Sequence, residues 1–384
     1  MPTPRSTARS STSQSQVSPR ASSGPRSRAK ASPVRVAIVG TGSMAAYHVR
    51  LYKQIPGVVL VAGCDVDRAR VTAFCAEHGI PATGVYTDLT TLLRECPCDA
   101  ISNVTPDAFH CALSIQALKA GKHVLCEKPL GLDHTETSRM VAAAKRSGTV
   151  AMVNFSYRNW PAIHAIAARV QAGELGELRH VEASYLQTWL SAPIWGEWRT
   201  TPAWLWRLSS KHGSKGVLGD VGVHLVDFAT YPAGPIKTVF AQLKAFPKAP
   251  RNRIGDYVLD ANDSAVLNVE FANGALGTLH TTRWATGHAN RIALKLHGTK
   301  GAVSFDSDLG TATYRACLGA DLATATWSDH TAPATPDNHT RFINAIRARQ
   351  NTLPNPPDFA RGHQVQRVLD ACFQSAATRS VVTL

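Results

Sequence analysis

Asp220 and His224 stand four positions apart in Gly219-Asp220-Val221-Gly222-Val223-His224-Leu225-Val226-Asp227, so a helix here would carry both on one face. Histidine has an ordinary pKa near neutrality, which suits it to removing a hydroxyl proton as hydride leaves the same carbon. Asp220 could orient the ring or a substrate and favour the imidazolium. Lys128 follows Lys122-His123-Val124-Leu125-Cys126, which reads as a strand, and open parallel sheets bind ligands at that carboxyl end. Its ammonium could hydrogen-bond the reacting oxygen and stabilise developing alkoxide charge. An isolated Asp/His pair on a helix is more often structural than catalytic.

A second set of residues could hold the hydride acceptor. Gly40-Thr41-Gly42-Ser43-Met44-Ala45 follows the β-branched run Val34–Val39 and opens a helical stretch. Gly40 permits a tight turn, Gly42 lets the backbone approach a pyrophosphate, and Ala45 takes the third small position against the sheet. The phosphates would rest on N–H groups around Thr41, Ser43 and Met44 at the helix start. Gly-x-Gly-x-x-Ala alone is a weak signal, and its place between strand and helix supplies the weight. The next apolar run, 58–64, ends at Asp65, 23 positions after Gly42. A carboxylate there accepts from ribose hydroxyls and repels a 2′-phosphate, favouring NAD over NADP. Arg68 and Arg70 keep NADP open, and a plain helix N-cap is the other reading of Asp65.

These motifs resemble those of the Gfo/Idh/MocA oxidoreductases, which include inositol dehydrogenases and glucose–fructose oxidoreductase. The resemblance rests on the glycine turn, on Leu118–Pro129 with its Glu-Lys-Pro, and on Asp220-x-Gly222-x-His224-x-x-Asp227, and it covers about 34–384. It implies Lys128, Asp220 and His224 as the catalytic set. It also implies that Thr105-Pro106-Asp107-Ala108-Phe109-His110 lies beside the nicotinamide, with His110 near the ring or else on a helix surface. Glu127 would touch the nicotinamide ribose. Asn154–Arg158 would line the cofactor–substrate junction, making Tyr157 and Arg158 polyol contacts, unless Arg158 anchors the interdomain surface. Trp206-Arg207 resembles a Trp-Arg pair upstream of the catalytic helix and is the favoured substrate-side pair. In one departure, Gly213-Ser214-Lys215-Gly216 interrupts the family's glycine run, leaving loop shape and substrate size open.

The elements that must position these residues alternate as strand and helix from Val34 to Asn154, which predicts a doubly wound Rossmann sheet over 34–154. From 155 to 384 the runs lengthen, with strands expected at 178–188, 236–246, 263–271, 274–284 and 291–297, and a hairpin at Asn273-Gly274. This predicts an α+β domain with a large, mostly antiparallel open sheet for substrate binding and oligomerisation, and a homodimer or homotetramer. Trp189, Trp195, Trp198, Trp204 and Trp206 crowd 18 positions, either as stacking platforms for a sugar with Arg199 and Arg207 or as a core or interface cluster.

Composition narrows the partners. The net charge is +14, but residues 1–33 hold Arg5, Arg9, Arg20, Arg26, Arg28 and Lys30 without one acid, leaving +8 for the other 351 residues. That Ser/Pro-rich stretch lacks large apolar side chains and reads as a disordered tail. No apolar run nears the ~20 residues that cross a bilayer, and neither membrane nor nucleic acid is expected as a partner. Six of the eight cysteines crowd the first domain, several inside apolar runs, as reduced core residues of a cytoplasmic protein, and Cys96-Pro97-Cys98 lacks zinc-site spacing. No metal is expected. The chemistry, then, is an NAD-dependent dehydrogenase acting on a secondary hydroxyl of a cyclic polyol or sugar. The alternatives are an NAD-retaining redox cycle of epimerase or glycosidase type and a non-catalytic NAD-binding regulator.

Overall fold

The structure, a computed structural model, describes residues 32–349 and 356–384; the expected tail at 1–33 falls almost wholly outside them. The first half alternates β1 (Val34–Val39), α1 (Ser43–Lys53), β2 (Val58–Cys64), α2 (Arg68–His78), β3 (Val85–Tyr86), α3 (Leu89–Glu95), β4 (Ala100–Asn103), α4 (Asp107–Lys119), β5 (His123–Cys126), α5 (His134–Ser147) and β6 (Ala151–Val153). The strands pair in parallel in the order β3-β2-β1-β4-β5-β6. Helices on both faces explain why β4 is buried at every position, including the polar Ser102 and Asn103. Strand order reverses between β1 and β4, the place where doubly wound sheets open a ligand crevice. Gly40, after β1, and Thr105, after β4, meet there.

The second half contains α6 (Pro161–Gln171), β7 (Leu178–Gln187), α7 (Pro202–Leu205), α8 (Val223–Ala233), β8 (Ile236–Lys244), β9 (Arg253–Ile254), β10 (Tyr257–Val258), β11 (Ser264–Phe271), β12 (Leu276–Thr282), β13 (Asn290–Gly298), β14 (Gly301–Asp306), β15 (Thr313–Leu318), β16 (Ser328–Thr331), α9 (Asn338–Ala348), α10 (Phe359–Thr378) and β17 (Val382–Thr383). Nine strands form one sheet, β16-β15-β14-β13-β7-β12-β11-β8-β17. The Asn273-Gly274 turn joins β11 to β12 as expected, with Gly274 at φ +84°. Every pairing is antiparallel except β12 with β7. Strands β14–β16 extend the sheet beyond the expected series; β16 is largely exposed and has no apolar residue to betray it.

All eleven residues of α8 are buried, as a helix apolar on every side requires. It packs against α6, α10 and β7. The turn before it, Leu218–Gly222, is π-helical, so the expected continuous α-helix carrying Asp220 and His224 on one face is absent. The wider turn changes the angular offset between Asp220 and His224 from that of a regular α-helix.

Candidate active site

The crevice is shaped by backbone. Gly40 has φ +86°, and a Cβ there would lie 2.7 Å from the Thr105 nitrogen, so only glycine fits. At Gly42 a Cβ would meet nothing within 4 Å, and no side chain caps the α1 N-terminus that begins there. This open cradle of first-turn N–H groups, at Ser43 and Met44, suits the phosphates of a dinucleotide. Asp65 accepts from the Thr41 N–H at 2.8 Å and the Thr41 hydroxyl at 2.9 Å, and from the Asp67 N–H at 3.1 Å. Burial pushes its carboxyl up, but these bonds and Arg70 hold it below the usual range. The N-cap of α2 is Asp67, not Asp65. Arg70 lies 3.4 Å from Asp65 and 3.2 Å from Asp67, so two carboxylates already occupy the guanidinium that would serve a 2′-phosphate.

The loop after β4 behaves differently from expectation at His110. Rather than approaching a ring or lying on a helix surface, His110 is 1% exposed, with Nδ1 2.7 Å from the Pro129 carbonyl and Nε2 2.8 Å from that of Thr105. It braces the Thr105-Pro106 turn against the cis Lys128-Pro129 peptide. Two carbonyl acceptors require N–H on both nitrogens; burial opposes the charge, but the Cys126 sulfur and both carbonyls raise the pKa to about 9. Glu127 is also largely buried. It accepts from Asn154 at 2.6 Å and the Lys128 N–H at 3.1 Å, and Oε1 lies 3.0 Å from His48 Nε2. Burial raises its pKa and His48 lowers it, to about 2 overall. Its first contacts are therefore protein groups.

Lys128, Asp220 and His224 do converge. Lys128 Nζ donates to the Asp220 carbonyl at 3.0 Å and to Oδ1 at 3.3 Å. Arg283 Nη2 reaches Oδ2 at 2.9 Å, and Arg207 Nε lies 3.9 Å from the same oxygen. Burial would raise the Asp220 carboxyl, yet Lys128, Arg283 and Arg207 outweigh it and hold the group well below the ordinary range. No hydrogen bond joins Asp220 to His224 among the described residues. His224 is 7% exposed, its Nδ1 buried without a partner, which leaves Nε2 to meet a substrate. Burial, then the Lys128 charge, lower its pKa to about 3. The expected imidazolium is thus replaced by a neutral imidazole, a ready proton acceptor.

On the substrate side Tyr157 packs its ring edge-on against His224 at 4.6 Å, its hydroxyl 2.7 Å from that of Tyr185. Arg158 is a correction: its side chain is fully buried and paired with Asp227 at 2.7 and 3.0 Å, over the Tyr231 ring, so it anchors α8 and is no polyol contact. Trp206 is 41% exposed, and Arg207 lies over both it and Trp204. The tryptophans divide: Trp189 and Trp198 form a small core with Leu190, Leu205, Leu208 and Leu259, while Trp195 and Trp206 face outward. Arg199 pairs with Glu197 and stacks on Trp198.

Known proteins resemble this chain in sequence and fold. Residues 34–155 match the oxidoreductase family with an NAD-binding Rossmann fold, and residues 163–304 match the GFO/IDH/MocA C-terminal domain. The chain belongs to the Gfo/Idh/MocA family. Levoglucosan dehydrogenase of Pseudarthrobacter phenanthrenivorans is 27% identical over 91% of this chain and 97% of its own. A levoglucosan dehydrogenase solved with NADH and levoglucosan is 26% identical, with a TM-score of 0.79 over 91% of this chain and 99% of that one. D-glucoside 3-dehydrogenase of Escherichia coli is 27% identical over 94% of this chain and 100% of its own. A solved oxidoreductase domain protein from Kribbella flavida reaches 31% identity, with a TM-score of 0.78 over 92% of this chain and 99% of that one. The N-terminal domain is therefore an NAD-binding Rossmann domain in an oxidoreductase.

In this Gfo/Idh/MocA chain several site residues escape a reading of the sequence. His48 sits on the buried face of α1 with Ala45, Val49 and Tyr52, linking Ser102 at 2.8 Å to Glu127. An ionisable residue on an apolar helix face was the available signal. Asn338 donates to Asn154 at 3.0 Å, extending the same network. Arg283 had no signal: a basic residue just after a strand looks like any surface residue until the fold buries it.

Proposed function

We propose that the protein is an NAD-dependent dehydrogenase of a secondary hydroxyl on a cyclic polyol or sugar. The observation that carries this is the Lys128 ammonium, just past the carboxyl end of β5 and held by Asp220 beside a neutral His224. Gly40–Met44, Asp65, Thr105 and Pro106 would hold NAD, whose nicotinamide when bound accepts hydride from the substrate carbon. His224 takes the hydroxyl proton at Nε2. Lys128 Nζ donates to the same oxygen and stabilises its growing negative charge. Asp220 keeps the ammonium aimed. Tyr157, Trp206 and Arg207 border the substrate, a ring offering an apolar face and hydroxyls. The substrates named for the relatives, levoglucosan and D-glucosides, support a cyclic sugar.

Self-association as a homodimer or homotetramer and a cytoplasmic location belong to the same reading. The nine-stranded sheet leaves one face open, with Val266 and Leu276 42% and 61% exposed on it, and all eight cysteines are free and buried. Among the described residues no helix is long and apolar enough to cross a membrane. The test of function is a screen of the purified full chain against inositols, aldoses, anhydro-sugars and glucosides with NAD and NADP. Growth of reduced-nicotinamide absorbance with one class, stronger with NAD, is expected; none across the whole panel contradicts the reading.

A further inference from the structure

Immediately after β12 the C-terminal sheet sends a guanidinium beneath the catalytic groups. Arg283 is fully buried, with Nη2 2.9 Å from Asp220 Oδ2 and Nη1 donating to the Arg207 carbonyl at 3.1 Å. Its Cζ lies 5.0 Å above the Trp189 ring, and Nε is buried without a partner. A buried cation needs a counter-ion. Asp263, the other acid in its surroundings, pairs with buried Lys248 at 2.6 Å, so Asp220 fills that need. The carboxylate is therefore clamped: Arg283 on one oxygen, Lys128 on the other, Arg207 3.9 Å away.

This clamp has an electrostatic consequence. Three cations surround one carboxylate, and of the three Lys128 also faces His224. The groups facing Asp220 are Lys128, Arg207, Arg283 and the Tyr185 hydroxyl; those facing His224 are Lys128, Glu127, Asp220, Asp227 and the Tyr157 ring. For Asp220 to turn to the unpartnered Nδ1 of His224 it would have to leave Arg283 without its counter-ion.

We propose, resting on the dehydrogenase reading, that Arg283 is a positioning residue that locks Asp220 onto Lys128 and away from His224, keeping the ammonium aimed at the reacting oxygen. It touches neither substrate nor cofactor. With Arg283→Met the carboxylate is freed on one side and the pocket loses a positive charge, so both changes favour protonated His224.

The test has two arms. In the first, the His224 ring-proton resonance, assigned by its loss in His224→Asn, is followed by NMR from pH 5 to 8. It is expected to stay flat in the wild type and in Arg283→Lys, and to titrate within that range in Arg283→Met. A flat Arg283→Met trace overturns the proposal. In the second arm Arg283→Lys, which keeps the charge but not the fork, is expected to lower kcat about tenfold with the NAD dissociation constant unchanged. Wild-type kcat in this variant, or a loss confined to NAD binding, also overturns it, and this arm decides should Arg283→Met fail to fold. The titration needs no turnover, so an inactive wild type would sink the dehydrogenase reading while leaving Arg283 to be judged by NMR.

Discussion

His224 would meet its substrate already deprotonated, because burial and the neighbouring Lys128 depress its pKa to about 3. The sign of the pH dependence follows. A group with a lowered pKa becomes protonated only as pH falls toward that value, so the base persists across the neutral and mildly acid range. The kcat/KM for alcohol oxidation is expected to show no acid limb between pH 8 and pH 5, whereas an ordinary histidine would impose one near ~6.5. A limb at that position would contradict this role. The three catalytic candidates were legible because each lies at a strand end or in a short-range spacing. Their electrostatics were not: the partner that clamps Asp220 is 63 positions away, and only the fold brings a remote arginine to a carboxylate.

At the scale of elements, α8 is an apolar helix with one acid anchoring it from within. Asp227, 1% exposed, accepts from Arg158 in the turn after β6 and from Arg361 of α10 at 2.7 Å. Removing one partner of a buried charge set strands the others, at about 3–5 kcal/mol. Asp227→Ala is expected to lower unfolding stability by that amount in urea titration and to reduce kcat by loosening the helix that carries His224. Wild-type stability would show the cluster to be dispensable. The Rossmann strands were readable from alternating apolar runs and turns. The π-helical turn at Leu218–Gly222 was not, since Gly219 and Gly222 mark only a place where backbone is free, and β16 lacked the apolar alternation that reveals a strand.

For the molecule as a whole, basic character misleads until its distribution is considered. Six of the fourteen surplus charges lie in residues 1–33, and every candidate site residue lies at Gly40 or beyond. Deleting residues 1–33 is expected to leave kcat/KM and NAD binding unchanged by steady-state kinetics and fluorescence titration; a large loss of either would bring the segment into the catalytic unit. Light scattering on the full chain is expected to give twice or four times the chain mass, and a monomer would contradict assembly through the open sheet face. The most direct measurement is reduction of NAD by the best sugar or polyol of the panel, in wild type and in Lys128→Ala, with NAD affinity measured on both. Turnover in the wild type that falls about 10²–10³-fold in Lys128→Ala at unchanged NAD affinity is the predicted result; equal turnover in the two proteins would contradict the assignment.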